Sequence, residues 1–174
     1  MRYVLQLLAL LLLVPVASSQ QPTPCTQPEV AALDFWLGTW DLTWTNADGS
    51  DGKGTNTIAK TLGGWVVLED FQDTTPGGTG FAGQSVSVFD ARSGLWKQTW
   101  VDNAGGYLLF TGTPDAEPME VRTAPFQNPQ GQTQINRMTW TDVTDDALTW
   151  RWQRSTDDGA TWTDMWVVAY TRAE

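Results

Sequence analysis

The chain has 174 residues, and its eleven tryptophans, single cysteine and lack of histidine exclude several kinds of protein. Without histidine there is no Ser-His-Asp triad, Cys-His dyad, His-ligated haem or His-containing zinc site. One cysteine excludes an intrachain disulfide and a zinc site made only of cysteines. Twenty acidic residues against ten basic ones give a net charge of -10, which disfavours binding to nucleic acid or to anionic membrane surfaces.

The first nineteen residues have the pattern of a secretory signal peptide. Arg2 provides a basic start, residues 4–16 are almost entirely apolar, and residues 17–19 are small. The apolar run is shorter than the ~20 residues of a transmembrane helix, so we expect no stable membrane anchor. We therefore predict an exported protein, periplasmic or secreted, in which residues 20–28 form a flexible linker and residues 29–174 form the folded domain. Cys25 falls in this linker as a lone thiol.

One helix is predicted at Glu29–Leu37, because Val30, Leu33 and Leu37 recur at helical spacing. Gly38 follows it in the manner of a C-cap. After Gly38, apolar and polar residues alternate in short segments separated by turn residues, which is typical of β-strands. The ten predicted strands are 40–44, 55–62, 65–71, 84–89, 95–102, 107–111, 119–126, 134–141, 148–154 and 162–172.

The loops between these strands are too short for crossover helices, so neighbouring strands are expected to be antiparallel. Ten consecutive antiparallel strands must close or stack to remove their exposed edges. We therefore predict an all-β fold, an up-and-down antiparallel β-barrel of about ten strands with a short N-terminal helix across one end. A two-sheet sandwich is the alternative.

Leu37-Gly38-Thr39-Trp40 resembles the Gly-x-Trp opening of calycin-type barrels, the group that includes the lipocalins. The resemblance implies that Trp40 closes one barrel end and packs near Arg172 of the last strand. Together with segments 34–41, 62–64, 96–102 and the last hairpin, it extends to a family of uncharacterised exported bacterial proteins, a domain of unknown function with a calycin-like barrel. This resemblance spans Glu29–Arg172 and implies a fold and a compartment but no reaction. Haem-binding relatives use a histidine ligand, which this chain lacks.

Residues 155–162 resemble a single Asp-box, Ser-x-Asp-x-Gly-x-Thr-Trp, known from sialidases and other propellers. A single copy predicts a structural hairpin. In that hairpin Asp157 caps turn amides, Gly159 supplies a positive φ and Trp162 packs beneath. The acidic loop at residues 46–51 lacks the glycine and glutamate positions of a calcium-binding loop, so it is also interpreted as a hairpin turn.

Polar residues at inward positions of two strands are the candidates for a ligand site. Glu69 shares a strand face with Val67 and Phe71, and Asp102 shares one with Trp100. Such carboxylates either pair with an arginine in the barrel or line a cavity among tryptophans. The predicted ligand-binding residues are Glu69, Gln98, Trp100, Asp102, Arg137, Trp152 and Arg154.

The tryptophans fall into same-face pairs on successive strands, which fill a small barrel or surround a cavity. Trp140 is the exception, because flanking Thr139 and Thr141 predict that its ring lies outside the barrel or at its rim. We predict a barrel that binds a small hydrophobic or planar molecule, with no metal, cofactor or catalytic residue. One alternative is a carboxylate-dependent enzyme acting on a small metabolite or glycan, and another is a structural or partner-binding module with a filled barrel.

Overall fold

The protein is described by a computed structural model covering residues 26–174. The predicted signal peptide, Cys25 and most of the predicted linker lie outside these residues. The described residues form a short N-terminal helix followed by eleven strands, with a second, three-residue 3₁₀-helix at Leu62–Gly64 between the second and third strands. The strands are β1 Gly38–Thr45, β2 Asp51–Thr61, β3 Val66–Asp73, β4 Ala82–Asp90, β5 Leu95–Asp102, β6 Tyr107–Gly112, β7 Glu120–Arg122, β8 Phe126–Gln127, β9 Thr133–Thr141, β10 Ala147–Ser155 and β11 Thr163–Arg172.

The strands close into an antiparallel barrel, as the alternation and the short loops predicted. Neighbours along the chain pair in order from β1 to β7, β7 pairs with β9, and β9 to β11 follow in order. The barrel closes where β11 pairs with β1, with Trp40 opposite Arg172. β8 pairs with β9 outside this ring, so ten of the eleven strands form the barrel.

The predicted strand 119–126 is interrupted, and the interruption has a local cause. Thr123 N–H donates to the carbonyl of Asn136, whereas Phe126 lies opposite Gln134. The three residue steps from Thr123 to Phe126 therefore lie opposite only two steps on β9. Such a mismatch is a β-bulge. Pro125 lies within it and has no backbone N–H to donate to the ladder. The chain therefore makes two short strands, β7 and β8, where one was predicted.

The N-terminal helix is a 3₁₀-helix at Pro28–Trp36, one residue earlier than predicted. Its first residue is Pro28, which the sequence interpretation assigned to the linker. Val30, Leu33 and Trp36 are its buried residues, and their spacing of three is the repeat of a 3₁₀-helix. Gly38 is the first residue of β1 rather than a helix cap. Within residues 26–174, no helix is long and apolar enough to span a membrane.

Arg172 and Trp40 join the helix end of the barrel to the last strand. The Arg172 guanidinium carbon lies 4.1 Å from the centroid of the Trp40 ring. Arg172 Nη1 donates to the Leu37 carbonyl at 2.9 Å, and its Nε donates to the Asp145 carbonyl at 2.7 Å. The Trp40 indole N–H donates to the Trp36 carbonyl at 2.7 Å. One cation therefore ties the chain before β1 to the loop between β9 and β10.

Gly38 makes this arrangement sterically feasible. Its φ is +122°, and a β-carbon at this position would collide with Arg172 Nη1. We expect Gly38→Ala to lower the free energy of unfolding by about 1–3 kcal/mol, because it combines backbone strain with displacement of Arg172. Urea unfolding followed by tryptophan fluorescence measures this. Gly49→Ala is the matched control, since Gly49 has φ +85° but no atom within 4 Å of the added carbon. Equal losses in both variants would show that the Arg172 contact contributes nothing.

The hairpin between β10 and β11 is built around Asp157. Its carboxylate accepts bonds from the Thr161 N–H at 2.9 Å, the Thr161 hydroxyl at 2.6 Å and the Ser155 hydroxyl at 2.7 Å. These bonds lower the pKa of Asp157 to about 2. Gly159 has φ +86°, and the Trp162 ring lies in contact distance of the position its β-carbon would take. These polar groups therefore bond to one another and stabilise the turn itself.

Candidate functional site

The two ends of the barrel differ, and the difference creates the candidate site. At the helix end Trp36, Trp40, Trp96 and Trp140 are completely or almost completely buried. Towards the opposite end the interior contains a cavity of about 210 Å³. The helix end of the barrel is therefore filled, whereas the opposite end contains open space. The cavity is lined by Glu69, Phe71, Phe81, Trp100, Asp102, Leu108, Phe110, Met138, Trp150, Trp152, Trp166, Val168 and Tyr170.

Glycines on the inner face of the wall make room for the large rings. A β-carbon at Gly83 would collide with the Trp100 ring, and one at Gly52 would collide with the ring of Trp44. Gly54 lies against the same Trp44 ring. Because glycine has no side chain, each indole lies flat on the neighbouring strand instead of projecting to the barrel axis. The space along the axis is thereby left for the cavity.

The aromatic wall is held together by ring-to-ring contacts. Trp166 lies edge-on to three neighbours, with centroid distances of 5.2 Å to Trp44, 5.6 Å to Trp150 and 5.7 Å to Phe71. Across the cavity Phe110 packs on Trp152 at 5.8 Å. Edge-to-face pairs of this kind are favoured by the ring quadrupole. The wall is therefore a set of mutually braced rings.

Glu69 is the one buried acid in this wall, with 8% of its surface exposed. Its Oε1 accepts a hydrogen bond from Asn56 Nδ2 at 2.8 Å, and its Oε2 accepts one from the Ser85 hydroxyl at 2.6 Å. Asn56 Nδ2 also donates to the Tyr170 hydroxyl at 3.0 Å. Gln98 Nε2 donates to Ser85 Oγ at 3.1 Å. Polar side chains from four other strands, β2, β4, β5 and β11, thus form a cluster around this carboxyl group.

Burial raises the pKa of Glu69 to about 7, because removing the charged form from water outweighs the bonds from Ser85 and Asn56. Burial also raises the pKa of Tyr170, with a further contribution from the Glu69 charge. Near neutral pH the Glu69 carboxyl group is therefore balanced between its neutral and ionised forms. The protonation state of such a group responds strongly to any charge placed in the cavity.

Asp102 is the second acid of the cavity, and its environment is different. Burial raises its pKa, but the N–H donors of Gly106, Trp100 and Ala104 outweigh that effect and hold the pKa below its usual value. The three donor distances are 2.8 Å, 3.0 Å and 3.0 Å. Asp102 is therefore ionised at neutral pH. It also fixes the Trp100 indole and the turn that follows β5.

Four of the seven predicted ligand-binding residues line the cavity, namely Glu69, Trp100, Asp102 and Trp152. Gln98 does not line it but is bonded to Ser85, the partner of Glu69. Arg154 is not among the lining residues either, and its Nε donates to Asn136 Oδ1 at 3.3 Å. The lining residues that the sequence interpretation did not assign to the site are Phe71, Phe81, Leu108, Phe110, Met138, Trp150, Trp166, Val168 and Tyr170. Alternation along β11 was a usable signal for three of these, since Trp166, Val168 and Tyr170 share one face.

Arg137, which was predicted to line the ligand site, lies on the outer face of β9. Its Nη1 contacts Glu120 Oε2 at 2.8 Å, its Nε donates to Gln153 Oε1 at 2.7 Å, and its guanidinium lies 4.0 Å from the Trp162 ring centroid. The reason is strand alternation, because its neighbour Met138 points into the cavity. Arg137 therefore forms a cluster on the outer face with Glu120, Gln153 and Trp162, and does not contact Glu69.

The prediction for Trp140 was wrong. Its ring is 2% exposed and packs edge-on against Trp36 at 5.1 Å. Trp140 thus belongs to the filled end of the barrel, where it contacts the N-terminal helix. The flanking Thr139 is also buried, so both faces of β9 are covered at this point. Flanking polar residues consequently gave no information about which face is inside.

Comparison with known proteins places the chain in a family. The family model described as "Protein of unknown function (DUF1579)" matches residues 26–172. The chain belongs to this family. A search of curated proteins found no match for the DUF1579 chain. Among the described residues, no group of three or more acidic, cysteine or histidine side chains could hold a metal ion.

Solved structures similar to this DUF1579 protein include designed β-barrels. One is a de novo designed fluorescence-activating β-barrel, 13% identical, covering 82% of this chain and 97% of its own, with a TM-score of 0.43. Another is a redesigned β-barrel, mFAP1, bound to DFHBI, 15% identical, covering 81% of this chain and 98% of its own, with a TM-score of 0.41.

Proposed function

We propose that this DUF1579 protein binds a small, predominantly apolar molecule in the aromatic cavity of its barrel. The observation that carries the proposal is an open space of about 210 Å³ among braced rings, inside an otherwise densely packed barrel. An apolar protein cavity of about 150 Å³ accommodates benzene, whereas drug-sized ligands need about 300–1,000 Å³. The size therefore favours a ligand with one ring or a short chain.

The proposal predicts saturable binding of small aromatic molecules. Toluene, phenol and 2-phenylethanol are suitable probes, because they differ in polarity but not greatly in size. Trp100, Trp150, Trp152 and Trp166 line the cavity, so an occupied cavity should change tryptophan emission. A bound ligand should also raise the thermal unfolding midpoint with concentration. Absence of both responses across the three probes would refute the proposal.

Two adjacent leucines on β6 give a matched test of location. Leu108 lines the cavity, whereas Leu109 is 56% exposed on the outer face. We expect Leu108→Trp to abolish or strongly weaken probe binding by filling the cavity, and Leu109→Trp to leave it unchanged. Isothermal titration calorimetry measures the probe affinity of both variants, and the fluorescence of the added indole does not affect it. Equal affinities in the two variants would place the binding site elsewhere.

We also propose that the mature protein is exported, a proposal supported by the signal-peptide pattern of residues 1–19. Expression of the full chain in a Gram-negative host, followed by fractionation and N-terminal sequencing, tests this. A mature N-terminus near residue 20 in the periplasm or medium is the expected result. An intact Met1 on protein retained in the cytoplasm would contradict it.

The two carboxyl groups favour a second candidate function, a carboxylate-dependent enzyme acting on a small metabolite or glycan. The environments of Glu69 and Asp102 drive their pKa values apart, upward for Glu69 and downward for Asp102. Glycoside hydrolysis uses a neutral acid and an ionised carboxylate in one site, and both of these carboxyl groups line the same cavity. Release of nitrophenol from nitrophenyl glycosides and esters, lost in Glu69→Gln or Asp102→Asn but kept in the exposed Glu117→Gln, would support it. Release no faster than in buffer would count against it.

A further inference from the structure

We infer that the cavity selects a small aryl-alkyl primary amine, bound as the ammonium ion with its nitrogen at Glu69 and its ring against the aromatic wall. This inference rests on the proposed binding function and specifies the ligand class. It is carried by three features of the cavity: the sign of its ionisable groups, the unused bonding capacity of Glu69, and the nature of its walls.

The ionisable side chains that line the cavity are all acids. Glu69 and Asp102 are carboxyl groups, Tyr170 is a phenol, and none of the lining residues that the structure describes is basic. Arg137 pairs with Glu120 and Arg151 with Asp164. Arg154 donates to the amide oxygen of Asn136 and is not among the residues that line the cavity. The chain as a whole carries a net charge of -10. The electrostatic field in such a cavity opposes an anionic ligand and attracts a cation.

Glu69 has the bonding capacity that an ammonium ion requires. Each carboxylate oxygen accepts one bond from the protein, Oε1 from Asn56 and Oε2 from Ser85, and a carboxylate oxygen has two lone pairs. Among residues 26–174, no basic group forms an ion pair with Glu69. Asn56 Oδ1, buried in the same cluster, has no hydrogen-bond partner. A bound ammonium donor supplies the missing counter-charge for the carboxylate.

The remaining walls suit the rest of such a ligand. The rings of Trp100, Trp150, Trp152 and Trp166 present negative faces, which attract cations as well as apolar groups. Leu108 and Val168 supply aliphatic surface. An aryl-alkyl ammonium ion offers a ring to these walls and N–H donors to the two remaining lone pairs of Glu69. A molecule of this class matches the cavity in charge, polarity and size.

Three probes of similar size separate the ligand classes: 2-phenylethylamine, 2-phenylethanol and phenylacetate. At pH 8 we expect the amine to bind about tenfold more tightly than the alcohol, because a charge-assisted bond replaces a neutral one. Phenylacetate should bind weakest. If the alcohol or the acid binds as tightly as the amine, the inference is overturned while the proposed function stands. If none of the three binds, the proposed function fails as well.

Glu69→Gln locates the selectivity. This variant should lose most of the preference for the amine, measured as the ratio of the amine affinity to the 2-phenylethanol affinity. Asp102→Asn removes the other carboxylate and should keep most of it, since the ammonium group is placed at Glu69. Loss of the preference in Asp102→Asn but not in Glu69→Gln would overturn the placement.

The pH dependence of the unmodified protein provides an independent measurement. Groups facing Glu69 are Asn56 of β2, Ser85 of β4, Gln98 of β5 and Tyr170 of β11, and Asp102 of β5 shares the cavity. Below pH 7 Glu69 becomes neutral, so amine affinity should fall by up to about tenfold per pH unit, whereas alcohol affinity should not. An amine affinity that is constant from pH 8 to about pH 5 would contradict the inference even if no variant folds.

Discussion

Trp40→Ala is expected to lower the free energy of unfolding by about 3–5 kcal/mol, the cost of removing a large aromatic side chain from a packed core. Trp40 is completely buried, and its ring lies 5.9 Å from Tyr170 and beneath the Arg172 guanidinium. Its indole also donates the bond to the Trp36 carbonyl. The substitution thus removes packing from the core, from the N-terminal helix and from the barrel closure together.

This loss is a large fraction of the roughly 5–15 kcal/mol that stabilises a typical domain. Urea unfolding, monitored by far-UV circular dichroism so that the missing tryptophan does not bias the signal, measures it. Trp40→Phe should cost less than Trp40→Ala, because it keeps a ring beneath Arg172 but loses the indole N–H.

Trp162→Ala is the matched control, because Trp162 is also an indole stacked on an arginine. It lies at the outer face, 4.0 Å from the Arg137 guanidinium carbon, and is only half-buried. We expect a loss of at most about 1 kcal/mol, in the range of an exposed cation–π contact. Equal losses for Trp40→Ala and Trp162→Ala would contradict the assignment of Trp40 to barrel closure.

Local patterns were sufficient to predict the barrel because its strands are short, consecutive and joined by turns. They were not sufficient for the helix type. Trp36 and Leu37 are both apolar, so the sequence is compatible with a spacing of three or of four after Leu33. The structure selects Trp36, because its ring packs against Trp140 on a strand more than a hundred residues away. That contact is not local, and no window of sequence contains it.

The sequence predicted only part of the candidate site, again because contacts between distant residues determine the rest. Glu69 and Asp102 were found because their strands alternate clearly. On β9, inner Asn136 and outer Arg137 are both polar, so alternation does not indicate which face is inside. The cavity itself depends on pairs such as Gly83 with Trp100, which meet only when β4 and β5 are paired. Sequence patterns within single strands do not contain that information.

Glu69→Gln is expected to raise the free energy of unfolding at pH 8 by about 3 kcal/mol while changing it little at pH 4. The pKa of Glu69 is raised from 4.5 to about 7 in the folded protein, chiefly by burial. The stability linked to this raised value is fully present below about pH 4.5 and is lost as the pH rises through about 7. Each pH unit between these values corresponds to about 1.4 kcal/mol, which gives the expected difference. Glutamine stays neutral, and its carbonyl oxygen can accept the bond from Asn56 while its amide N–H donates to Ser85 Oγ.

Urea unfolding curves of the two proteins from pH 4 to pH 9 measure the effect. Glu117→Gln is the control, because it makes the same chemical change on an exposed side chain and should leave the pH profile unaltered. If the free energy of unfolding of Glu69→Gln runs parallel to that of the unmodified protein across this pH range, the folded protein does not oppose the ionisation of Glu69. The expected result means that the fold bears a cost for an ionisable group at this position, which a neutral side chain avoids. An amine ligand offsets that cost, so 2-phenylethylamine at pH 8 should stabilise the unmodified protein far more than Glu69→Gln.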